Sequence, residues 1–573
     1  MPVDGKAFLA IMKRLRWQIV VVLATLGVVS FLLLAQKPQS AFPIAPQPTS
    51  GGVYVEALVG RLGRLNPWFD YYNQPDRDVD RLLFSGLLTF DGRGLPHPDL
   101  AESWGIAQDG TVYNFTLRPN ATWHDGQPVT SDDVIFTIDI IRTGVTTYPE
   151  DVRALWNQVQ VIRLDEKNLK FVLPEPFAPF LSYLTFGLLP KHLLADIPPD
   201  QLINHPFNLA PVGSGPYRFE RLLIENGQIA GVVLTANEAY YGQVPHLTQF
   251  IVRYYDTPAE ALTAYREGDV LGIGHVTPDI LADALSEPKL ALYTARLPRL
   301  TLILFNLQND EVAFFQDKAV RRALFYGLNR RWMIDRLLQG QAVLANSVIP
   351  PGNWAAYESI EPVPYDPDQA QTMLKDAGYV LGGDSPLRAK EGKELAFTLL
   401  YPDDVLHAQL AQAIQEDWAA LGVGVTLQAV PYASLLNDYL TPRRYQAALV
   451  DLDMSNSADP DPYPFWHQSQ ALDGQNYAQW DHRAASEYLE QARVITTLDT
   501  RARLYRNFQV MFAREWPALP LYYPVYTYGV DVSVQGVQIA PLFNPSDRFA
   551  GIGDWYMVVG RGSQPSPTPL STP

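Results

Sequence analysis

The stretch WHDGQPVTSDDVIFT, residues 123–137, holds three residue types of a nucleophilic triad within a few positions. They are His124, Asp125 and Ser131. His124 and Asp125 are neighbours in the sequence, and adjacency does not orient an imidazole toward a distant serine. We therefore interpret the stretch as a structural connection and not as a catalytic site.

Local signals around this stretch predict a strand, a turn and a helix in that order. Alternating apolar residues at 113, 115 and 117 are typical of a strand, and Asp125-Gly126 is a turn signal. Thr130 stands three residues before Asp133, the spacing of a capping box at a helix N-terminus. The apolar face of the predicted helix follows at Val134, Ile135, Ile138 and Ile141.

Composition indicates a large globular protein with few possible anionic partners. The chain has 573 residues, 47% hydrophobic and 18% charged, with a formal net charge of −17. Such a charge repels nucleic-acid phosphates, so we expect no nucleic-acid partner. The absence of cysteine excludes disulfides, thiolate metal sites and a lipid anchor on an N-terminal cysteine.

The N-terminus carries a membrane-targeting pattern. Lys13, Arg14 and Arg16 precede an uncharged, mostly apolar run, Ile19–Ala35, which as a helix spans about 26 Å. The positive flank predicts residues 1–18 in the cytoplasm and the rest outside. We expect 19–35 to be a transmembrane anchor or uncleaved signal, with a cleaved signal peptide as the alternative.

The remaining organisation is that of one large body between two flexible segments. Residues 36–50 contain four prolines and predict an extended linker, and 561–573 predict a disordered tail. Within the body, the segments 256–268 and 366–378 carry helix-capping residues at both ends and are predicted helices. Residues 423–428 alternate as a strand does, so the body is α/β with more than one sheet.

A longer segment around the opening stretch resembles a known family. PDLAESWGIAQDGTVYNFTLRPNATWHDGQPVTSDDVIFT, 98–137, is similar to the signature region of the family 5 extracytoplasmic solute-binding proteins, receptors of oligopeptide, dipeptide and nickel ABC importers. PVGSGPYRFER, 211–221, resembles the family's GTGPY turn, with Ser214 in place of threonine. Further similar segments run in order along the body at 65–70, 82–91, 237–247, 302–334, 366–379, 458–466 and 504–523.

The resemblance implies a fold and its domain bounds. The expected fold is α/β, a two-lobed periplasmic-binding-protein-like fold of type II, the large peptide-binding class, with an extra subdomain inserted in lobe I. The solute-binding domain would be 51–560. Its parts would be lobe I at 51–75, 205–305 and 520–560, the inserted subdomain at 76–204, and lobe II at 306–519.

The resemblance also implies a function and a first ligand contact. The chain would be an extracytoplasmic receptor that captures short peptides between its lobes and delivers them to the transmembrane subunits of an ABC permease. A buried peptide ammonium needs a carboxylate. In the family an aspartate shortly before a D-P-D segment often supplies it, which makes Asp453 our first candidate and Asp451 our second. The interval to Asp459 is longer here than is common, because 454–458 extend it.

The other candidate ligand contacts are aromatic and amide residues, each with a structural alternative. Aromatic rings can wall a ligand pocket or pack the loop that carries them. Asn306 follows an apolar strand at the expected hinge, and Asn476 would face the cleft. The aromatic candidates are Tyr463 and Trp466 in lobe II, and Trp68 and Phe69 in lobe I.

Rival functions remain open beside the peptide receptor. A hydrolase is disfavoured, because the chain lacks H-E-x-x-H, G-x-S-x-G and phosphate-loop motifs. We expect no cofactor and no metal site. Within the same fold the solute could be a nickel chelate, a sugar or an opine, or the chain could be a membrane-anchored sensor module. We expect a monomer attached to the outer face of the membrane.

Overall fold

The computed structural model describes residues 16, 20, 22–25, 50–383, 385–455 and 457–557. It divides into two compact units, 1–48 and 49–573. In the first unit the described residues are helical. No helix in the described ranges combines the length and apolarity that a membrane crossing requires. Most of the predicted anchor 19–35, nearly all of the linker 36–50 and the whole predicted tail 561–573 lie outside the described residues.

The strands of the second unit form one large sheet and several small ones. Their bounds, in chain order, are β1 Val53–Val59, β2 Leu88–Phe90, β3 Pro96–Pro98, β4 Ala101–Ile106, β5 Val112–Leu117, β6 Gln160–Arg163, β7 Asn168–Val172, β8 Tyr217–Glu225, β9 Gln228–Ala236, β10 Gln249–Tyr255, β11 Gly272–Ile273, β12 Leu290–Arg296, β13 Arg299–Phe305, β14 Ala342–Leu344, β15 Val380–Leu381, β16 Arg388–Lys390, β17 Lys393–Glu394, β18 Ala396–Pro402, β19 Gly424–Val430, β20 Ala447–Asp453, β21 Ala518–Asp531, β22 Val534–Gln535 and β23 Tyr556–Met557.

Helices connect and cover these strands. The α-helices are Gln74–Leu83, Ser131–Thr143, Glu150–Gln158, Lys191–Leu194, Pro199–Leu202, Pro258–Glu267, Pro278–Leu285, Lys318–Tyr326, Arg330–Trp332, Pro367–Asp376, Val405–Ala419, Tyr432–Ser434, Tyr463–Trp466, Arg483–Val494 and Leu498–Glu515. Short segments of 3-10 or π helix are Ala178–Leu184, Pro206–Leu209, Asp310–Gln316, Met333–Leu337, Leu435–Leu440, Gln468–Gln470, Pro545–Phe549 and Ile552–Asp554.

The large sheet has two halves joined by one long strand. Its order is β19-β18-β20-β13-β21-β11-β1-β10-β9-β8, with β12 and β14 also paired to β21. The first part of β21 pairs with β13, and its last part pairs with β12 and β11. The fold is therefore two-lobed and α/β. β13 pairs with β20 in the lobe II half, so the chain crosses between the halves just before Arg299. The lobe bounds given above stay a prediction.

Buried side chains collect in two main cores that match this division. One core takes residues between Leu300 and Tyr523 and belongs to the lobe II half. The other joins β1 and β8–β10 to the segment around 82–202 and to the C-terminal segment as far as Trp555. The sheet β4-β5-β7-β6 lies inside the predicted subdomain 76–204. Two separately packed cores make two rigid bodies, and the sheet strands that join them are the natural place for bending.

The opening stretch is structural, as its sequence predicts. The Thr130 N–H donates to Asp133 Oδ2 at 2.8 Å, and the helix Ser131–Thr143 follows. The Gly213 N–H donates to His124 Nδ1 at 3.0 Å, so the imidazole ties the inserted segment to the 211–215 turn. Burial lowers the pKa of His124 to about 4. The Ser131 hydroxyl donates to the Asp165 carbonyl and not to His124.

Candidate functional site

A cavity of about 680 Å³ lies between the two halves of the second unit. Ligand sites are commonly concave, within roughly 300–1,000 Å³, and placed at domain boundaries. One side is formed by lobe I residues between 67 and 71, residues between 77 and 187 of the predicted inserted subdomain, and C-terminal residues 543–547. The other is formed by residues 453–465 of lobe II with Gln475 and Arg493. The cavity thus touches every part of the predicted solute-binding domain.

The charge of the cavity lining is strongly unbalanced toward carboxylates. Its lining includes eight acidic side chains and three arginines, with no lysine or histidine. The acidic residues are Asp70, Asp80, Glu150, Asp151, Asp453, Asp459, Asp461 and Asp547, and the basic ones are Arg77, Arg81 and Arg493. Such a lining favours neutral or cationic solutes over anions.

The lobe II wall, defined as Asp453, Asp459, Asp461 and Arg493, holds most of its carboxylates in close ion pairs. Asp459 lies 2.7 Å from Arg501, and both side chains are buried. Asp461 lies 2.7 Å from Arg493. Burial raises the pKa of Asp461 although Arg493 opposes that rise. The Arg493 guanidinium also stands 3.8 Å from the Tyr463 ring centre and 5.6 Å from that of Phe177 in the inserted segment.

Asp453 is the more accessible carboxylate of this wall. It ends β20, keeps 50% of its side chain exposed, and lies 3.6 Å from Arg299. Its Oδ1 accepts the Ser455 N–H at 2.8 Å. An exposed pair of this kind is weak and exchanges readily, so a ligand ammonium can compete with Arg299.

The lobe I wall is the helix Gln74–Leu83 with the loop before it. The four charged residues that represent this wall below are Asp70, Arg77, Asp80 and Arg81, and the last three fall within the predicted subdomain 76–204. Asp70 lies 4.0 Å from Arg77, at the limit of an ion pair. Arg81 stands 3.9 Å from Asp547, and Asp80 contacts no donor within the described part of the chain. No cluster of three or more histidine, cysteine or acidic side chains fit for a metal occurs among the described residues.

Residues 96–476 match the family model of bacterial extracellular solute-binding proteins, family 5. The chain belongs to this family.

Relatives of this family 5 protein extend the match over nearly the whole chain. The oligopeptide-binding protein AppA of Bacillus subtilis is 25% identical over 528 residues, 90% of this chain and 94% of the relative. The dipeptide-binding protein of Escherichia coli is 23% identical over 465 residues, 78% of this chain and 84% of the relative. Proteins of this family are binding proteins, described as extracellular.

Solved structures agree with the fold of this family 5 protein. AppA of B. subtilis in complex with a nonapeptide has a TM-score of 0.65 at 24% identity, covering 90% of this chain and 100% of that one. HbpA2 of Haemophilus parasuis has a TM-score of 0.77 at 21% identity, covering 89% and 100%. At these identities the likeness speaks for the fold alone, and it agrees with the expected two-lobed type II architecture.

The two aspartate candidates lie on the same strand in different surroundings. Asp453 lines the cavity of this family 5 protein, whereas Asp451 does not. The Thr301 hydroxyl donates to Asp451 Oδ1 at 2.5 Å, and His407 Nε2 stands 3.7 Å from Oδ2. Burial acts to raise the pKa of Asp451, but His407 and Thr301 hold it below its usual range. Asp451 therefore stabilises the crossing strands β13 and β20.

The lobe II aromatic candidates pack the loop and do not line the cavity. Trp466 is 2% exposed and sets its ring against Phe512 at 4.8 Å. Tyr463 stacks on His467 at 4.0 Å and lies under the Arg493 guanidinium. The short helix Tyr463–Trp466 packs both rings against the lobe II core, and their contact with ligand stays a prediction.

The two asparagines hold loops together. Asn306 Nδ2 donates to the carbonyls of Arg443 and Tyr445 at 2.9 and 3.0 Å. Asn476 Nδ2 donates to the carbonyls of His467 and Trp480 at 3.1 and 2.9 Å. Both amides are buried and neither lines the cavity. Their amide donors are committed to backbone carbonyls, and a ligand contact by either residue stays a prediction.

The lobe I aromatic candidates are buried, and neighbouring residues of the same loop line the cavity. Trp68 and Phe69 are buried, and Trp68 packs on Tyr148 and Phe186 at ring distances of 5.2 and 5.4 Å. From the same loop Pro67, Asp70 and Tyr71 line the cavity instead. The large apolar rings of Trp68 and Phe69 are buried in the core, and their contact with ligand stays a prediction.

Sequence reasoning missed Asp70 and Asp80. A signal was present in FDYYNQPDRDVD, 69–80, which places acids at 76, 78 and 80 of one short helix. Acids two apart lie on different faces of a helix, so they cannot all share one solvent-facing side. At least one of these carboxylates must point toward protein or a cavity.

Proposed function

We propose that this chain is the extracytoplasmic receptor of an ABC importer, and that it captures short peptides between its lobes. It would deliver them unchanged to the permease transmembrane subunits. The observation that carries the proposal is the cavity of about 680 Å³, which is rich in carboxylates and lined from both halves of a family 5 protein. The relatives AppA and the dipeptide-binding protein of E. coli are named for oligopeptides and dipeptides, which supports the peptide class.

The contacts around the cavity supply a closing mechanism. The Trp354 N–H of lobe II donates to the Arg93 carbonyl of the inserted segment at 2.9 Å. Ser457 Oγ lies 3.4 Å from Ser182 Oγ across the same boundary. These few contacts are too weak to keep an empty receptor shut. A ligand that touches both walls adds the differential affinity that shifts the population to the closed form.

In this proposal Asp453 binds the peptide's ammonium. It lines the cavity, it is accessible, and among the described residues its arginine partner is the half-exposed Arg299. Asp451 supports the strand below it through Thr301. The peptide backbone offers donors and acceptors in a fixed repeat, so polar groups at 455 and 457–461 can bind it without reading its sequence.

The receptor would act outside the cell membrane, as a monomer held by the N-terminal segment 19–35. The basic residues before that apolar run and the family's extracellular character support this placement. The receptor would bind and release its solute without changing it, as the binding proteins of the family do.

Native mass spectrometry and scattering test the function together. The full chain, purified in detergent, is mixed with peptides of two to nine residues, with nickel–histidine, and with sugar and opine controls. We expect peptide adducts of unchanged mass and a smaller radius of gyration when peptide is bound. Binding of nickel–histidine or a sugar without any peptide, or hydrolysis of the peptide, contradicts the proposal.

A further inference from the structure

The three carboxylates of the helix Gln74–Leu83 have three different hydrogen-bonding environments. Asp76 accepts the backbone N–H groups of Gly63 and Arg64 at 2.7 and 2.8 Å. Asp78 lies 2.8 Å from the buried Arg548 guanidinium. Asp80 is 3% exposed, and neither of its carboxylate oxygens has a hydrogen-bond partner in the described ranges. A buried carboxylate without a donor is costly and therefore rare.

Asp70 stands beside Asp80 on the cavity side of this wall. It is buried, it lines the cavity with Asp80, and its nearest cation is Arg77 at 4.0 Å. Arg77 also donates to the Tyr71 carbonyl, so its charge is shared. Burial raises the pKa of Asp70 to about 7, against the opposing charge of Arg77. Burial and the charge of Asp70 raise the pKa of Asp80 well above its usual range.

The other groups near Asp80 do not neutralise it. Asp76 adds negative charge from the same helix. Tyr148, from the segment before helix Glu150–Gln158, and Tyr254, on β10, have pKa values raised by burial and by these carboxylates, so both stay neutral. The Asn66 backbone N–H, which lies near Asp80 but outside hydrogen-bond geometry, and the charge of Arg77 lower the pKa of Asp80 and only partly offset its burial. Two carboxylates thus share one distant guanidinium.

We propose that Asp70 and Asp80 form a cation subsite that takes the basic side chain of a bound peptide, the ammonium of lysine or the guanidinium of arginine. This inference rests on the proposed peptide-receptor function. Asp70 meets the cation from the cavity, and Asp80 behind it supplies the second negative charge. The subsite is separate from Asp453, which lies on the opposite wall of the same cavity.

The chemistry of the pair selects an organic cation. In the described part of the chain no third acidic, histidine or cysteine side chain completes a metal site here. The Arg77 guanidinium, 4.0 Å from Asp70, repels a divalent ion twice as strongly as a group of single charge at the same distance. A lysine or arginine side chain carries one charge, reaches in from the cavity on an apolar stem, and donates several hydrogen bonds to two carboxylates.

Isothermal titration of the full chain tests the subsite. The probes are alanine peptides of three to five residues with one interior lysine or norleucine, each with a free or an N-acetylated amino terminus. We expect the wild type to prefer lysine over norleucine by about tenfold to a hundredfold, the strength of hydrogen bonds to charged groups. Asp70→Asn and Asp80→Asn should remove this preference while leaving the preference for a free amine.

Asp151→Asn is the matched control, because it removes one exposed carboxylate from the same cavity lining. It should keep the lysine preference. A wild type without that preference, variants at 70 and 80 that retain it, or an equal loss in Asp151→Asn overturns the subsite. Loss of free-amine discrimination in the variants at 70 and 80 assigns them to the peptide terminus and also overturns it. If no peptide binds, the proposed function itself fails.

Counting the protons released on binding tests the subsite on the wild-type protein, so the test does not depend on whether the variants fold. At pH 7, titrations in buffers of different ionisation enthalpy count the protons released on binding. A cation that settles on Asp70 and Asp80 favours their ionised forms, so the lysine peptide should release more protons than the norleucine peptide. Equal release by the two peptides contradicts the subsite.

Discussion

On the lobe II wall, Asp459 and Asp461 each lie 2.7 Å from an arginine, whereas on the lobe I wall Asp70 is 4.0 Å from its arginine and Asp80 has no donor in the described structure. Both walls bury carboxylates in the same cavity. On one wall the chain supplies the compensating cation, and on the other it leaves room for one.

This difference separates carboxylates that build the wall from carboxylates that meet the solute. Removing charges from water carries a penalty of several kcal/mol per ion, and a close partner is needed to offset it. Asp459 and Asp461 have that partner within the protein, so they are structural. In our proposal, Asp70 and Asp80 gain a close cation from the ligand. Each prediction below tests one side of this contrast, beginning with the largest expected effect.

Removing the arginine of a buried pair should cause the largest loss of stability. Arg501→Met leaves Asp459 buried without its partner, and we expect a loss of about 3–5 kcal/mol in the free energy of unfolding. Urea denaturation measures it. The double variant Arg501→Met with Asp459→Asn should recover much of the loss, because no charge is then stranded. A single variant as stable as the wild type would place Asp459 among the ligand-binding carboxylates instead.

Replacing the unpartnered carboxylate should stabilise the protein. Asp80→Asn removes a buried charge without a donor, and we expect a gain of about 1–3 kcal/mol at neutral pH. The folded pKa of Asp80 is raised above its unfolded value of about 4, so the wild type loses stability as pH rises from about 4 through the folded pKa.

The gain from Asp80→Asn should therefore be smaller at pH 5 than at pH 8. Denaturation of both proteins at the two pH values measures the difference. A gain that is the same at both values, or a loss at both, contradicts the assignment of an uncompensated carboxylate to the lobe I wall.

Asp453 should discriminate the peptide terminus. Asp453→Ala is expected to weaken binding of a free-amine peptide about tenfold, the effect of one charged hydrogen bond, while changing the N-acetylated peptide little. Titration calorimetry with both peptides gives the comparison. Asp451→Asn is the neighbouring control, and it should affect both peptides alike. Equal losses for the two peptides in Asp453→Ala would remove it from this role.

The exposed pair of the lobe II wall should contribute least to stability. Arg299→Met breaks a pair whose side chains are both about half exposed, and we expect at most about 1 kcal/mol in the free energy of unfolding. In the same variant Arg299 no longer competes with the peptide ammonium for Asp453, so the free-amine peptide should bind slightly more tightly. Thermal denaturation and calorimetry check the two effects. A loss as large as that of Arg501→Met would show that Asp453 is structural.

Elements fixed by local chemistry could be predicted from the sequence. The segment 366–378 predicted a helix from its capping residues, and the helix Pro367–Asp376 begins with the Asp366 side chain accepting the Gln369 N–H at 2.9 Å. Alternation at 423–428 predicted the strand now seen as β19. Caps, turns and periodicity act within a few residues, so the sequence alone specifies them.

The candidate site was less predictable because its contacts join distant segments. The predicted ligand contact Asp453 lines the cavity, and so do residues of the loop that carries Trp68, while their role in binding stays a prediction. Sequence reasoning could not tell that Trp68 turns inward to Tyr148, 80 positions further along the chain. The partners of Asp76 and Asp78 come from Gly63 and Arg548, so the isolation of Asp80 appears only after folding.

The continuous strand β21 has a consequence for how this chain tolerates change in length. Side chains alternate between the two faces of a strand, so a slip of one residue turns each of them over. Since β21 pairs with β13 at one end and with β12 at the other, a single deletion near its middle shifts one lobe's register against the other. Substitutions in β21 can accumulate one at a time, whereas insertions and deletions there must be matched on both sides of the hinge.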